Sequence, residues 1–310
     1  KEIAQNLLAA ENPRMHVGKL RTPLGIKYAI DLAELSGSSV RTSATAMSMS
    51  FPENHPQCGK GFDINNDYIL GLESDGQNVS IQGPSLLSNA NNRDLTDIGF
   101  GFIRDPVIPP RRDLSGDNDL IADAEASIPL IIEQFKRLQT IEKVEKISTR
   151  VNGHAKTNAI NYQKELRSTL EKKRKGWNSS PVSLARLYSE LWPLIKDLDW
   201  CLSSPTVFSS RHHVGLWEHN KPYSYLGMHG AGGIGYCIGA SAGAGLAARS
   251  RDRIVINIQC DGDLNYTPGS LWTAAHHKLP LLTIMHNNRG YHQEVMYLHY
   301  MAGVRGRGSD

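Results

Sequence analysis

The chain has 310 residues, 40% hydrophobic and 21% charged, which excludes a small disulfide scaffold and a disordered chain and favours two domains, because single cores rarely grow past ~250 residues. No run of about 20 apolar residues occurs, so no transmembrane helix is expected. Lysine and arginine (34) against aspartate and glutamate (31) leave a net charge of +3, too near neutrality to imply nucleic acid or an anionic membrane as partner.

The four cysteines, Cys58, Cys201, Cys237 and Cys260, form no CxxC pair, so neither a zinc knuckle nor a redox motif is encoded and a cytoplasmic location is expected. The chain opens on Lys1-Glu2-Ile3-Ala4 and closes on a polar run ending in Asp310; it reads as part of a longer protein.

In chain order, Arg14 to Val17 reads as a strand. Thr22-Pro23 then supplies an N-cap and a proline at the first helical position, and Leu24, Tyr28, Leu32 and Leu35 recur at helical spacing until Gly37. Strands are expected at Ser39 to Thr42 and Asp67 to Leu72, with a turn-rich loop from Phe51 to Gly61 between them and a short extended segment near Asn78 to Gln82 after them. A helix is expected from Asp123 to Arg137 with Ile128, Ile131, Ile132 and Phe135 inward. This alternation predicts a parallel sheet covered by helices. From Thr149 to Trp177 the composition becomes strongly charged, ending in Lys172-Lys173-Arg174-Lys175, and with Glu165 and Glu171 interleaved it reads as a solvated linker helix. A second α/β unit opens with a helix from Val182 to Leu198.

Residues 223 to 292 carry the chemistry. An extended segment, Tyr223 to Met228, runs into the glycine-rich stretch Gly230-Ala231-Gly232-Gly233-Ile234-Gly235 and a small-residue helix through Ala248. Ile254 to Cys260 reads as a buried strand, followed at once by Asp261-Gly262-Asp263. Thr267-Pro268 caps a helix that Pro280 stops, and Leu281 to Met285 reads as a buried strand ending in His286-Asn287-Asn288. In such a strand–helix–strand unit both polar loops leave the sheet at its carboxyl edge, where ligands bind. Asp261 and Asn288 are therefore expected to converge. A carboxylate, an amide oxygen and a backbone carbonyl are hard ligands that suit Mg²⁺ or Ca²⁺ better than zinc, and Gly262 with the amides after it suits a phosphate.

Asp261-Gly262-Asp263, with Asn287-Asn288 closing the segment 27 positions after Asp261, resembles the thiamine diphosphate motif. The intervening Leu271-Trp272-Thr273-Ala274-Ala275-His276-His277 is similar to the acetolactate synthase and benzoylformate decarboxylase group, and Glu11-Asn12-Pro13, Ala33-Glu34-Leu35 and Phe51-Pro52-Glu53-Asn54-His55-Pro56 resemble that group's central domain. The resemblance implies an α/β chain of two doubly wound parallel-sheet domains: a central domain at 1–148, a linker at 149–180 and a diphosphate-binding domain at 181–310 that is incomplete at its C-terminus. The family's pyrimidine-binding domain, which carries the glutamate that activates the cofactor, has no counterpart in these residues. By the same resemblance Asp261, Asn288 and the carbonyl of Gly290 would hold Mg²⁺. Gly262, Asp263, Leu264 and Tyr291 would hold the diphosphate, while Gly232, Gly233 and Ile234 would face the rest of the cofactor, Ile234 as the wedge that bends it. Cys260 replaces the first glycine usual in the motif. The implied activity is decarboxylation or carboligation of a small 2-oxo acid with thiamine diphosphate and Mg²⁺, in a homo- or hetero-oligomer completed by a pyrimidine-binding domain or subunit.

Other readings compete. Gly230 to Gly235 also fits the dinucleotide fingerprint of an NAD-dependent oxidoreductase, with Asp261 as the ribose ligand, but that leaves Asn287-Asn288 unexplained. A non-catalytic fragment or degenerate subunit is the other alternative. FAD is not expected, because Gly18-Lys19-Leu20 stands where acetolactate synthases carry a glycine triplet. His276 and His277 are adjacent and read as surface residues, as do Asp197 and Asp199. His212, His213, His229 and His292 flank the loops, with His292 a weak candidate for proton transfer, and Trp217 and Trp272 read as packing residues.

Overall fold

The computed structural model describes residues 1–42, 49–58, 66–73, 94–99, 118–203, 216–227 and 233–308. The chain divides into two compact units, one of Lys1–Arg186 with Val214–Gly227 and one of Leu187–His213 with Met228–Asp310.

The first unit is built on five parallel strands, β1 (Pro13–Val17), β2 (Ser39–Thr42), β3 (Tyr68–Leu72), β4 (Asp94–Gly99) and β5 (Asn118–Ile121), in the order β2-β1-β3-β4-β5. The order reverses between β1 and β3, the mark of a doubly wound sheet. Ahead of it runs helix α1 (Glu2–Ala9), with Ala4, Leu7 and Leu8 buried at helical spacing.

Helix α2 (Pro23–Ser36) starts and stops as its sequence dictates: Thr22 Oγ1 accepts from Gly25 N at 3.0 Å, and Gly37 ends it with φ of 64°. Its buried face differs from the expected one. Ile26, Ala29, Leu32 and Ala33 point inward while Leu24 is 54% exposed. Helix α3 (Ala124–Leu138) packs against α2, and the Glu125 carboxylate accepts from Thr22 Oγ1 at 2.5 Å and Thr22 N at 3.2 Å. A β-carbon at Gly25 would collide with that carboxylate, so small residues set the face that α2 turns inward. On α3, Ile128, Ile131 and Phe135 are buried as expected, with Ile132 only half-buried.

The charged stretch is one continuous helix, α4 (Ile141–Arg174), which begins before the expected linker and is anchored at its start. Ile147 is buried, and Arg150 donates to Ala10 O at 2.8 Å, Glu11 O at 3.0 Å and Ser36 O. One guanidinium thus satisfies carbonyls left open at the ends of α1 and α2.

Residues 216–227 hold Trp217, His219 and Tyr225, all buried. The expected extended run from Tyr223 is instead a turn, with Tyr223 at φ of 66°, and Tyr225 O accepts from Met49 N at 2.9 Å. Burial pushes His219 down to about 4 and His16 down to about 3, the latter with help from the Arg14 and Arg41 guanidiniums. Both imidazoles are therefore neutral in the folded chain, whereas an unfolded histidine binds a proton near pH 6.5. Below that value the unfolded state holds more protons, so stability is full above about pH 6.5 and falls as the pH drops toward 4. His219 alone should remove ~2 kcal/mol by pH 5. Urea titrations of the chain and of His219→Gln at pH 7.5 and pH 5 check this: the variant should lose less stability between the two.

Helix α5 (Leu184–Ile195) starts at the end of the first unit and runs into the second; its Ala185, Tyr188 and Ile195 are buried, and Trp192 meets Trp200 edge-on at 5.8 Å. The second unit's parallel sheet has the order β6-β7-β8, from β6 (Trp200–Leu202), β7 (Ile254–Cys260) and β8 (Leu281–His286). Helix α6 (Tyr236–Ala248) packs on β7 with Cys237, Ile238, Ser241, Ala242 and Gly245 inward. Asp199, expected on a solvated face, accepts from Arg253 Nε at 2.9 Å.

Two short helices, α7 (Asp261–Tyr266) and α8 (Gly269–His276), connect β7 to β8, and α9 (His292–Val304) follows. Strand β8 is not the buried strand its apolar run suggests: Leu282 is 39% and Met285 45% exposed, because it stands at the edge of the sheet among the described strands. Trp217 packs inside as expected, but Trp272 is 67% exposed and stacks on His276 at 4.6 Å. No helix among the described residues is long and apolar enough to cross a membrane.

Candidate functional site

Strand β7 is buried on both faces, from Val255 through Gln259, and so has a fixed position in its sheet. Its neighbour β8 runs parallel with Cys260 opposite His286. The two chains therefore leave the sheet side by side at its carboxyl edge, one into Asp261 and the other into Asn287-Asn288.

There they meet. Asn288 N donates to Asp261 Oδ1 at 3.0 Å. Asn287 Oδ1 accepts from Arg289 N at 2.8 Å, Asn288 Oδ1 from Gly290 N at 3.4 Å, and Arg289 takes φ of 62°. The loop is thus folded back on itself by its own amides, which keeps Asp261, Asn288 and Gly290 within one corner. His292 Nε2 is 2.9 Å from Asn288 O, so this imidazole is engaged with the same loop. His286 is held below its ordinary value by burial, against the pull of the Asp261 carboxylate. Among the described residues no group of three His, Cys, Asp or Glu could hold a metal; the Asp261 carboxylate beside the Asn288 loop is a donor of the hard-oxygen type that suits Mg²⁺.

Asp261-Gly262-Asp263 is the first turn of helix α7, not a loop. Gly262 is buried, and a β-carbon there would stand 2.7 Å from Tyr291 Cε1. The Tyr291 ring lies against this bare Cα, and its Oη donates to Gly262 O at 3.3 Å. The Asp263 side chain turns to the glycine-rich loop: its Oδ1 accepts from Gly235 N at 2.6 Å, and its carboxylate together with burial pushes the Cys237 thiol up. Burial is the larger cause there. Leu264 is half-buried in the same helix.

Gly233 and Ile234 precede α6, and Ile234 is 41% exposed. Gly232, like His212, His213 and His229, lies outside the described residues. Sequence reasoning missed Tyr266 and misread Thr267. Tyr266 meets Tyr291 edge-on at 6.1 Å. Thr267, expected to cap a helix, donates its hydroxyl to Gly235 O at 2.9 Å. No spacing rule marks either one.

Residues 208–305 match the family described as thiamine pyrophosphate enzyme, C-terminal TPP binding domain. The chain is 38% identical over 87 residues to benzoylformate decarboxylase of Pseudomonas aeruginosa, an alignment covering 28% of this chain and 15% of that one. It is 42% identical over 60 residues to a Mycobacterium tuberculosis protein named for the acetolactate synthase large subunit, covering 19% and 11%. Its fold is like that of the thiamine diphosphate-dependent 4-hydroxybenzoylformate decarboxylase of Rhodococcus jostii, at a TM-score of 0.65 and 18% identity over 97% of this chain and 53% of that one. The chain spans about half the length of such structures. The resemblance to thiamine diphosphate-dependent enzymes of the decarboxylase and synthase kind thus rests on the segment that holds Asp261 and Asn288 as well as on the α/β fold.

Proposed function

We propose that the chain provides the metal and diphosphate half of a thiamine diphosphate-dependent site for decarboxylation or carboligation of a 2-oxo acid. The meeting of Asp261 with the Asn288 loop through a 3.0 Å hydrogen bond carries this reading, since carboxylate, amide and carbonyl oxygens are the hard ligands that a Mg²⁺-bound diphosphate takes. Asp261, Asn288 Oδ1 and the Gly290 carbonyl hold the metal. Backbone amides at the start of α7 and at Tyr291 face the diphosphate, and Ile234 orients the cofactor. When bound, thiamine diphosphate supplies the carbanion stabilisation that loss of carbon dioxide requires. Residues 1–148 serve as the central domain and 181–310 as the diphosphate-binding domain. A pyrimidine-binding domain on further polypeptide completes the site.

The experiment is a calorimetric titration of the chain with thiamine diphosphate, with Mg²⁺ and again with excess chelator. Saturable binding that disappears with the chelator is expected. Binding indifferent to the metal, or none at any Mg²⁺ concentration, overturns the assignment.

A further inference from the structure

Gly235 is gripped from three directions by residues of α7 and the position after it. Its N–H donates to Asp263 Oδ1 at 2.6 Å, and its carbonyl accepts from Thr267 Oγ1 at 2.9 Å. Its bare Cα faces Tyr266, so closely that a β-carbon would stand 2.5 Å from Tyr266 Cβ; with φ of 90°, only glycine meets both demands. The Tyr266 ring then meets the Tyr291 ring edge-on, with centroids 6.1 Å apart and planes at 88°, and Tyr291 covers Gly262. Gly235, Tyr266, Tyr291 and Gly262 thus form an unbroken line of contacts from the glycine-rich loop to the Asn288 loop.

Ordinary packing does not account for these residues. Tyr266 is 57% and Tyr291 43% exposed, so neither ring fills a core. The Thr267 hydroxyl caps no helix: α8 takes Pro268 as its N-cap without a side-chain bond, and the hydroxyl's bond goes to Gly235.

We propose that Tyr266 and Thr267 are positioning residues that fix the spacing between the Ile234 loop and the metal-side loop, and so preorganise the surface on which the two ends of the cofactor rest. This rests on the cofactor assignment above, but the coupling between the loops is a property of the ligand-free chain. Each residue acts through Gly235 and, for Tyr266, also through Tyr291. Tyr266→Phe keeps the edge-to-face ring and the cover on Gly235, whereas Tyr266→Leu removes the aromatic contact. Thr267→Val removes the hydroxyl bond and leaves the shape.

Amide hydrogen exchange of the ligand-free 310-residue chain, read by mass spectrometry, tests the coupling. Tyr266→Leu should speed exchange about 10-fold in peptides covering 233–238 and also 288–292, with β7 unchanged, while Tyr266→Phe exchanges like the parent chain. Thr267→Val should speed exchange only in 233–238. Faster exchange at one loop alone in Tyr266→Leu, or a Tyr266→Phe variant that behaves like Tyr266→Leu, overturns the proposal. Should Tyr266→Leu not fold, unaltered exchange at 233–238 in Thr267→Val overturns it alone. In calorimetry with Mg²⁺ and thiamine diphosphate, Tyr266→Leu and Thr267→Val should weaken binding about 10-fold with the metal requirement intact, since loss of residues that only orient a metal site costs about 10–100-fold in affinity, and Tyr266→Phe should restore it. Parent-level affinity in both weakened variants overturns the proposal. A parent chain that does not bind the cofactor defeats the functional reading instead, and the exchange result then decides the coupling.

Discussion

Replacing Asp261 by alanine should abolish Mg²⁺-dependent binding of thiamine diphosphate and leave the chain folded. Asp261 is the one charged group among the three proposed ligands, so its loss removes the main attraction for a divalent cation. Even residues that only support metal ligands change affinity by about 10–100-fold when removed, and a direct ligand should exceed that. The cost in stability should be small, about 1 kcal/mol, because the carboxylate accepts a single exposed hydrogen bond, from Asn288 N. Asp261→Asn separates the two roles: its amide oxygen can still accept that bond, but it carries no charge. Calorimetry should find neither variant binding the cofactor in the presence of Mg²⁺, with Asp261→Asn melting like the parent chain. Retained affinity in Asp261→Ala would move the metal elsewhere.

The second large effect concerns turnover. The 310-residue chain alone should release no carbon dioxide from a panel of 2-oxo acids above the rate of free cofactor, although it binds cofactor and Mg²⁺. The resemblance places the activating glutamate on a pyrimidine-binding domain, and loss of a positioned acid or base costs about 10²–10⁴ in rate. Adding such a domain as a separate polypeptide should raise the rate by at least that factor with the parent chain and not with Asp261→Ala. Turnover by the purified chain alone would show that the activating group lies within it. Binding without turnover in any combination would instead identify a non-catalytic subunit.

Much of this site is legible from residue order because local rules act over short distances. Ile254, Val255, Ile256 and Ile258 mark β7 as a strand buried on both faces, and Asp261 follows it directly. A strand–helix–strand unit must bring the next loop to the same edge, which is why Asp261 and Asn288 meet as their spacing predicts. The stop at Gly37 and the cap at Thr22 are local in the same way.

Other features escaped for reasons equally physical. Strand β4 contains Asp94, Thr96 and Asp97, so its apolar content is too low to announce it, and it forms through pairing with β3 and β5. The inward face of α2 depends on how closely α3 approaches Gly25, which periodicity does not encode. Apolar residues in β8 predict burial only if a partner covers them, and Leu282 and Met285 remain largely exposed.

By itself the sequence determined the parallel α/β class, the carboxyl-edge position of Asp261 and Asn288, and the hard-oxygen character of the ligands. These follow from strand order and side-chain chemistry. Only the tertiary structure decided that Tyr291 rather than open space lies over Gly262, that Asp263 turns to Gly235, and that Tyr266 and Thr267 hold the glycine-rich loop. Those contacts join residues that are 28 to 32 positions apart or lie on different loops, and their geometry depends on packing distances of a few ångströms that no spacing in the chain specifies.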